Sequence, residues 1–209
     1  MTSRMTDPST GSGTGAGGSA ATDLRDEPVV LEVAESDLVY EGRVWDVRSD
    51  TFDYNGDEIV RQYVAHPGAA AIVAIDDEDR VLLIQQYRHP IRHRDWEIPA
   101  GLLDVAGEAP LETARRELVE EADLRAASWE PLVSIFTTPG GNDEVVHLFL
   151  ARGLSPVGTA HAREAEEADI RVEWVPLADV VAGVLAGRLR NGILAVGVLA
   201  AAERLRRAR

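Results

Sequence analysis

The sequence predicts an α+β fold, a mixed α/β sandwich in which strands outnumber helices. Three features carry that expectation: short apolar runs of strand length, a turn containing Asn55-Gly56 between two alternating segments, and helix-forming stretches lying between and after the strands. Residues 1 to 26 are mostly Gly, Ser, Thr, Ala and Asp with almost no aliphatic content, too little to offset ordering entropy, and are read as a structureless tail ahead of one domain over 27 to 209. Val44 to Tyr54 and Ile59 to Ala65 then form a hairpin. Ala69 to Ile75 and Val81 to Gln86, flanking the acidic turn Asp76 to Asp79, suit buried strands. A helix is expected over Pro110 to Ala122, with a proline where the first turn tolerates it. Strands return at Trp129 to Phe136, Val145 to Ala151 and Ile170 to Val175, and Leu177 to Leu189 and Gly192 to Arg206 close the chain as helices.

Composition narrows the functional classes. The chain has 209 residues, 45% hydrophobic and 27% charged, with no run near the roughly 18 apolar residues of a membrane span. No apolar stretch follows Arg4 as a secretory signal requires, and a cytoplasmic protein is expected. Cysteine is absent, which leaves oxygen and nitrogen as metal ligands. A formal net charge of -15 argues against nucleic acid or an anionic membrane as partner. Lysine is also absent, so any basic grip on a small phosphorylated substrate must come from the 21 arginines.

The helix over Pro110 to Ala122 carries the chemistry. At about 100° per residue, Leu111, Ala114, Leu118 and Ala122 share one stripe, which is the buried face. Glu117 and Glu121 stand together along one edge of it, and Glu120 lies farther round toward solvent. Like charges at that spacing repel, and a divalent cation would compensate them, magnesium or manganese by the hardness of the oxygen ligands. An exposed helix laced with pairs such as Glu112 to Arg116 and Arg116 to Glu120 would give the same charge run.

The flanking residues decide between these readings. From Gly101 the sequence runs GLLDVAGEAPLETARRELVEEADL, which resembles the Nudix box in Glu108, Arg116-Glu117-Leu118, Glu120-Glu121, Ala122 and Leu124. Gly101 lies one residue farther from Glu108 than in the family pattern, and Asp123 stands where a late Gly is usual. A loop absorbs the first change, and Asp tolerates the left-handed conformation needed for the second.

The resemblance implies a Nudix fold, a mixed β-sheet between helices, here with an extra N-terminal antiparallel sheet. It implies Glu117, Glu121 and the Ala100 carbonyl as metal ligands for Mg2+, with Mn2+ as a substitute. Glu120 becomes a catalytic residue near the metal, and Arg116 with Glu108 an ion pair bracing the helix.

Beyond the box the chain is similar to the ADP-ribose pyrophosphatase branch. Pro139 in TTPGGND lies 15 residues past Leu124, and QQYRHPIRHRDWEIPAG precedes the box as in that branch. Arg88 and Glu97 are thereby implied as substrate-binding residues, with Arg94 a weaker candidate, and Glu167 in HAREAEEADIRVEW as the catalytic base. An acidic surface loop and ordinary surface arginines are the competing readings of these segments. His89 and His93 receive no metal, because Pro90 interrupts any helix between them. The implied reaction is hydrolysis of ADP-ribose to AMP and ribose 5-phosphate. Other nucleoside diphosphate derivatives (nucleotide sugars, dinucleoside polyphosphates, NADH) or a non-catalytic ADP-ribose sensor are the alternatives. The branch also implies a homodimer formed through the strands of residues 27 to 66, which otherwise leave an uncovered edge.

Overall fold

The computed structural model describes residues 24–158 and 170–208. The chain begins with a three-stranded antiparallel sheet, β1 (Val33–Tyr40), β2 (Asp46–Tyr54) and β3 (Asp57–Ala65), in that spatial order. Asn55 and Gly56 take φ of 59° and 91°, the two positive values that a tight hairpin turn requires. The sheet leaves Val33, Leu38, Val39, Tyr40, Tyr54 and Val60 exposed. It meets the rest of the molecule through a backbone bridge, in which Val64 N donates to Gly141 O (3.0 Å) and Asp143 N to Val64 O (3.3 Å).

The body follows as β4 (Ala69–Ala74), β5 (Arg80–Arg88), β6 (His93–Glu97), β7 (Ala100–Leu102), α1 (Pro110–Ala122), β8 (Leu124–Phe136), β9 (Val145–Pro156), β10 (Arg171–Pro176), α2 (Leu177–Leu185) and α3 (Gly192–Ala208). Four strands form a mixed sheet in the order β7-β4-β9-β8, parallel only between β4 and β9, and β10-β5-β6 form an antiparallel sheet beside it. β4 explains the layering. Every one of its residues is buried, and successive side chains in a strand point to opposite faces, so both faces need a cover. Ala69, Ala71 and Val73 enter a core closed by Leu177 and Val180 of α2 and Leu194, Val198 and Ala201 of α3. Ala70, Ile72 and Ala74 enter a second core closed by Ala114 and Leu118 of α1. The mixed sheet therefore lies between helices. Gly197 lets α3 approach closely: a Cβ there would sit 3.0 Å from side-chain atoms of Leu148 and Val73. Among the described residues no helix is long and apolar enough to cross a membrane.

Three strands are additions to what the sequence predicts. β1 has every residue exposed and so gives no apolar alternation, and β7 is three residues long. β6, reading HRDWE, is polar at one end and buried only at the other. β8 begins five residues before the expected Trp129, and β9 runs past Ala151 to Pro156 because the two pair along their whole length, Leu124 opposite Pro156. α2 ends at Leu185, not Leu189. Gly187 at φ 70° turns the chain, and Leu189 folds back on Gly183 through its amide (3.3 Å to the Gly183 carbonyl). Residues 1–23 of the predicted tail lie outside the described residues.

Candidate active site

α1 spans the predicted Pro110–Ala122, and its last turn is closed by Asp123 at φ 55°, ψ 33°, whose amide donates to Leu118 O and Val119 O. Aspartate thus does here what a helix-ending glycine does elsewhere. Leu118 and Ala114 have no exposed surface, which fixes the rotation of the helix and brings its acidic edge against β7. Glu117 and Glu121 are consequently buried, 8% and 4% exposed.

Two features of β7 admit these carboxylates. Gly101 carries no side chain, and a Cβ there would collide with the Glu117 carboxyl group. Ala100 N donates to Glu121 Oε2 at 2.9 Å. In the ladder with β4, Ile72 N donates to Pro99 O (2.8 Å) and Leu103 N to Gly68 O (3.1 Å), which makes Ala71 and Ala100 a pair without mutual hydrogen bonds. The amide and carbonyl of Ala100 therefore both point away from β4. Glu117, Glu121 and the Ala100 carbonyl, the predicted metal ligands, come from two adjoining elements in contact.

Arg116 organises the rest of the edge. Its Nη1 donates to Glu117 Oε1 (2.5 Å) and Glu120 Oε2 (3.1 Å), and its Nη2 to Glu108 Oε2 (3.3 Å). Thr113 Oγ1 also donates to Glu108 Oε2, at 2.8 Å. Burial disfavours the charged guanidinium, but the Glu108 hydrogen bond and the charges of Glu117 and Glu120 outweigh it and raise the Arg116 pKa further. The hydrogen bonds from Arg116 and then Thr113 hold the Glu108 carboxyl below its ordinary range. Arg116 and Glu108 do brace the helix as expected, and Arg116 additionally holds Glu120, which is half-buried and not turned fully to solvent.

Arg88 and Glu97 meet each other. Arg88 Nε and Nη2 donate to Glu97 Oε1 and Oε2 at 2.7 and 2.8 Å, and Gln86 Nε2 lies 3.3 Å from Oε2 of the same buried carboxylate. The β5–β6 register sets Ile84 opposite Glu97, Gln86 opposite Asp95 and Arg88 opposite His93, so all six side chains share one face. Arg94, opposite Tyr87, falls on the other face, and the sheet does not bring the two arginines together. Glu167 lies outside the described residues. A polar cavity of about 320 Å³ lies between the β8–β9 turn and the start of α3, lined by Thr137, Thr138, Asn142, Glu144, Asn191 and Gly192. Thr137 Oγ1 donates to Glu144 Oε2 within it (2.6 Å).

Sequence reasoning missed Thr113, Gln86 and Asn191 as polar partners. Their uncharged side chains gain meaning only from what the fold sets beside them.

Because Glu108 is held as the anion, its contribution to stability is present above the carboxylate range and lost as pH falls through it. Glu108→Gln should therefore melt below the unsubstituted protein at pH 7. Thermal melts between pH 7 and pH 3 should show that gap closing, and a gap constant with pH would refute the assignment.

Residues 65–194 match the NUDIX domain model. Over 171 residues the chain is 46% identical to an ADP-ribose pyrophosphatase of Mycobacterium tuberculosis, covering 81% of this chain and 82% of that protein. A Bacillus subtilis protein of the same name is 37% identical over 145 residues, 68% of this chain and 77% of its own length. A crystal structure described as an ADP compounds hydrolase superposes with a TM-score of 0.72 at 22% identity, over 87% of this chain and 97% of that one, a likeness of fold. The matched span runs from the end of β3 to the first residues of α3 and contains both β7 and the carboxylate edge of α1. With the box residues assembled in this way, the chain belongs to the Nudix family.

Proposed function

We propose that the protein is a hydrolase that cuts the phosphoanhydride of ADP-ribose, giving AMP and ribose 5-phosphate, as a cytoplasmic, Mg2+-dependent enzyme that also accepts Mn2+. The observation that carries this reading is the buried pair Glu117 and Glu121, set against the Ala100 backbone. Two carboxylates removed from water at neighbouring positions cost several kcal/mol unless cations balance them, on the order of the penalty for any buried ion. Among the described residues no group of three or more His, Asp or Glu side chains is placed to hold a metal ion by side chains alone. The donor set is two carboxylates and a carbonyl, all hard oxygens, which fits a cation that keeps other coordination places for water and phosphate oxygens. Such a cation, when bound, would neutralise the diphosphate and make water easier to deprotonate.

The chain's own residues supply the rest. Glu117, Glu121 and the Ala100 carbonyl hold the charge of the site in place. Arg116 keeps Glu117 and Glu120 oriented, with Glu120 the catalytic residue beside the ligands. Arg88, steadied by Glu97, offers a planar donor fork to the diphosphate, and Arg94 adds positive charge near the same hairpin. Glu167 removes a proton from water as the water oxygen adds to phosphorus and the bridging P–O bond breaks, the electron pair leaving on the departing phosphate. The names of the similar proteins from Mycobacterium tuberculosis and Bacillus subtilis support ADP-ribose as the substrate.

The one-domain organisation proposed for residues 27 to 209 includes the N-terminal sheet as a dimerisation element. Its exposed Leu38, Val39, Tyr40 and Val60 are apolar side chains divided between the two faces of the sheet, with Tyr40 and Val60 on one and Leu38 on the other, and a second copy would cover part of them. Sedimentation at micromolar concentration should give a dimer mass; a monomer would refute it.

The central test is purified protein with Mg2+ and ADP-ribose, products resolved by chromatography. AMP and ribose 5-phosphate are expected, and tight binding without AMP release would make the protein a sensor. EDTA should abolish turnover. Glu121→Gln should cost about 100- to 10,000-fold in turnover while the protein stays folded, the loss of one charged ligand at a catalytic cation. Glu167→Gln should lower kcat by about 100- to 10,000-fold and change KM much less, with Glu166→Gln milder. Turnover undiminished in both would move the base elsewhere, with Glu120 or Glu144 next.

A further inference from the structure

The β5–β6 hairpin is fastened at a second place, away from the carboxylates. Asn191 Nδ2 donates to Asp95 Oδ2 at 3.0 Å, and one residue earlier Arg190 Nη2 lies 2.8 Å from His93 Nε2. The same Asn191 accepts from Leu194 N through Oδ1 (2.9 Å) and therefore caps α3. One side-chain amide ends a helix and holds a strand.

The strand needs holding. Among the described residues β6 is the edge of its sheet, paired on one side with β5, and the hairpin from Tyr87 to Arg94 is exposed throughout. β10 pairs with β5 only as far as Gln85, so beyond it β5 and β6 run on as a two-stranded ribbon, which without further support is marginal in water. α3 is a firm anchor, since Leu194 and Val198 have no exposed surface and Gly197 packs on Val73, Leu148 and Ile98. Asp95 is two residues from Glu97 on the same strand face, and Glu97 is what orients Arg88. Position thus passes from the packed face of α3 through Asn191 and Asp95 to Glu97 and Arg88. Among the residues that favour the capping position, Asn has both an acceptor for the helix and a donor for the strand. Asp lacks the donor, and Ser and Thr have one hydroxyl for both tasks.

We propose that Asn191 is a positioning residue for this enzyme. Through Asp95 it fixes the edge strand on which Glu97 holds Arg88, and so sets the affinity for the diphosphate without touching the reacting atoms. The proposal rests on the reading of Arg88 and Glu97 as substrate-binding residues given above.

Three variants test it: Asn191→Asp, Asp95→Asn and the two combined. Asn191→Asp keeps the helix cap, removes the donor and sets two carboxylates face to face. Asp95→Asn keeps a bond, since an amide oxygen accepts as well. The double variant reverses the bond, the amide introduced on the strand donating to the carboxylate introduced at the helix cap. Each is measured at pH 8 for kcat and KM with ADP-ribose at saturating Mg2+, for the dissociation constant of inorganic diphosphate, and for amide exchange over residues 87–97. Asn191→Asp should raise KM and the diphosphate constant about five- to twentyfold, the scale of one lost hydrogen bond plus a like-charge contact, with kcat within about twofold. It should speed exchange in 87–97 and leave 194–208 as it was. Asp95→Asn should behave nearly as the unsubstituted protein, and the double variant should recover both affinity and protection. Unchanged KM and exchange in Asn191→Asp, a loss confined to kcat, or a double variant no better than Asn191→Asp would each overturn the proposal. If the unsubstituted protein releases no AMP, the proposed reaction fails on that result alone. The diphosphate and exchange measurements still decide whether Asn191 positions the hairpin.

Discussion

Everything at the site follows from the burial of two carboxylates on one edge of α1. Leu118 and Ala114 must be buried for the helix to attach, and at helical spacing that rotation forces Glu117 and Glu121 against β7. Buried polar groups have to be matched, and each is: Glu121 by the Ala100 amide, Glu117 by Arg116 in the space Gly101 leaves open. Arg116 in turn is committed to Glu108, which Thr113 steadies. Even so, the Arg116 Nε is buried without a hydrogen-bond partner among the described residues.

Much of this could be read from sequence because it is local. The bounds of α1, the stripe that faces inward, the Arg116–Glu108 brace and the left-handed Asp123 all depend on residues within one helix and its flanks. β4 was legible for a different reason. A strand covered on both faces has to be apolar throughout, and Ala69 to Ala74 is. The misses are non-local. HRDWE becomes β6 only because β5 pairs with it, and β1 has no buried face to leave a pattern. The pairing of Arg88 with Glu97 is likewise invisible in the sequence. Nine residues apart in sequence, they are joined by a register that no local pattern encodes, and the same register parts Arg88 from Arg94.

Charge shows the same division between global and local. A net charge of -15 describes the whole surface, yet around α1 the decisive quantity is the balance of charge along its acidic edge. Arg116 serves Glu108, Glu117 and Glu120 together, and one guanidinium cannot by itself neutralise three carboxylates. A divalent cation would complete that balance, while on the solvated faces the same excess of acid is screened and needs no partner.

The site sits where it does because one short segment belongs to two sheets. β6 ends at Glu97 in the sheet with β5, and three residues later Ala100 opens β7 beside β4. Between them Ile98 is buried in the core under α2 and α3, and Pro99 O accepts from Ile72 N. Proline has no amide to donate, so the chain joins the second sheet through a carbonyl first and gains its full ladder only after Ala100. Ala100, in the pair with Ala71 that exchanges no hydrogen bonds, turns its amide and carbonyl away from β4, and the amide meets Glu121 of α1. Glu97 with Arg88 and Ala100 with Glu121 are consequently held on adjoining sheets by one stretch of backbone. A shift in the edge strand β6 would change the spacing between Arg88 with Glu97, proposed to bind the diphosphate, and Ala100 with Glu121, proposed to hold its counter-charge. The fold therefore has a reason to tether that edge to a helix as firmly seated as α3.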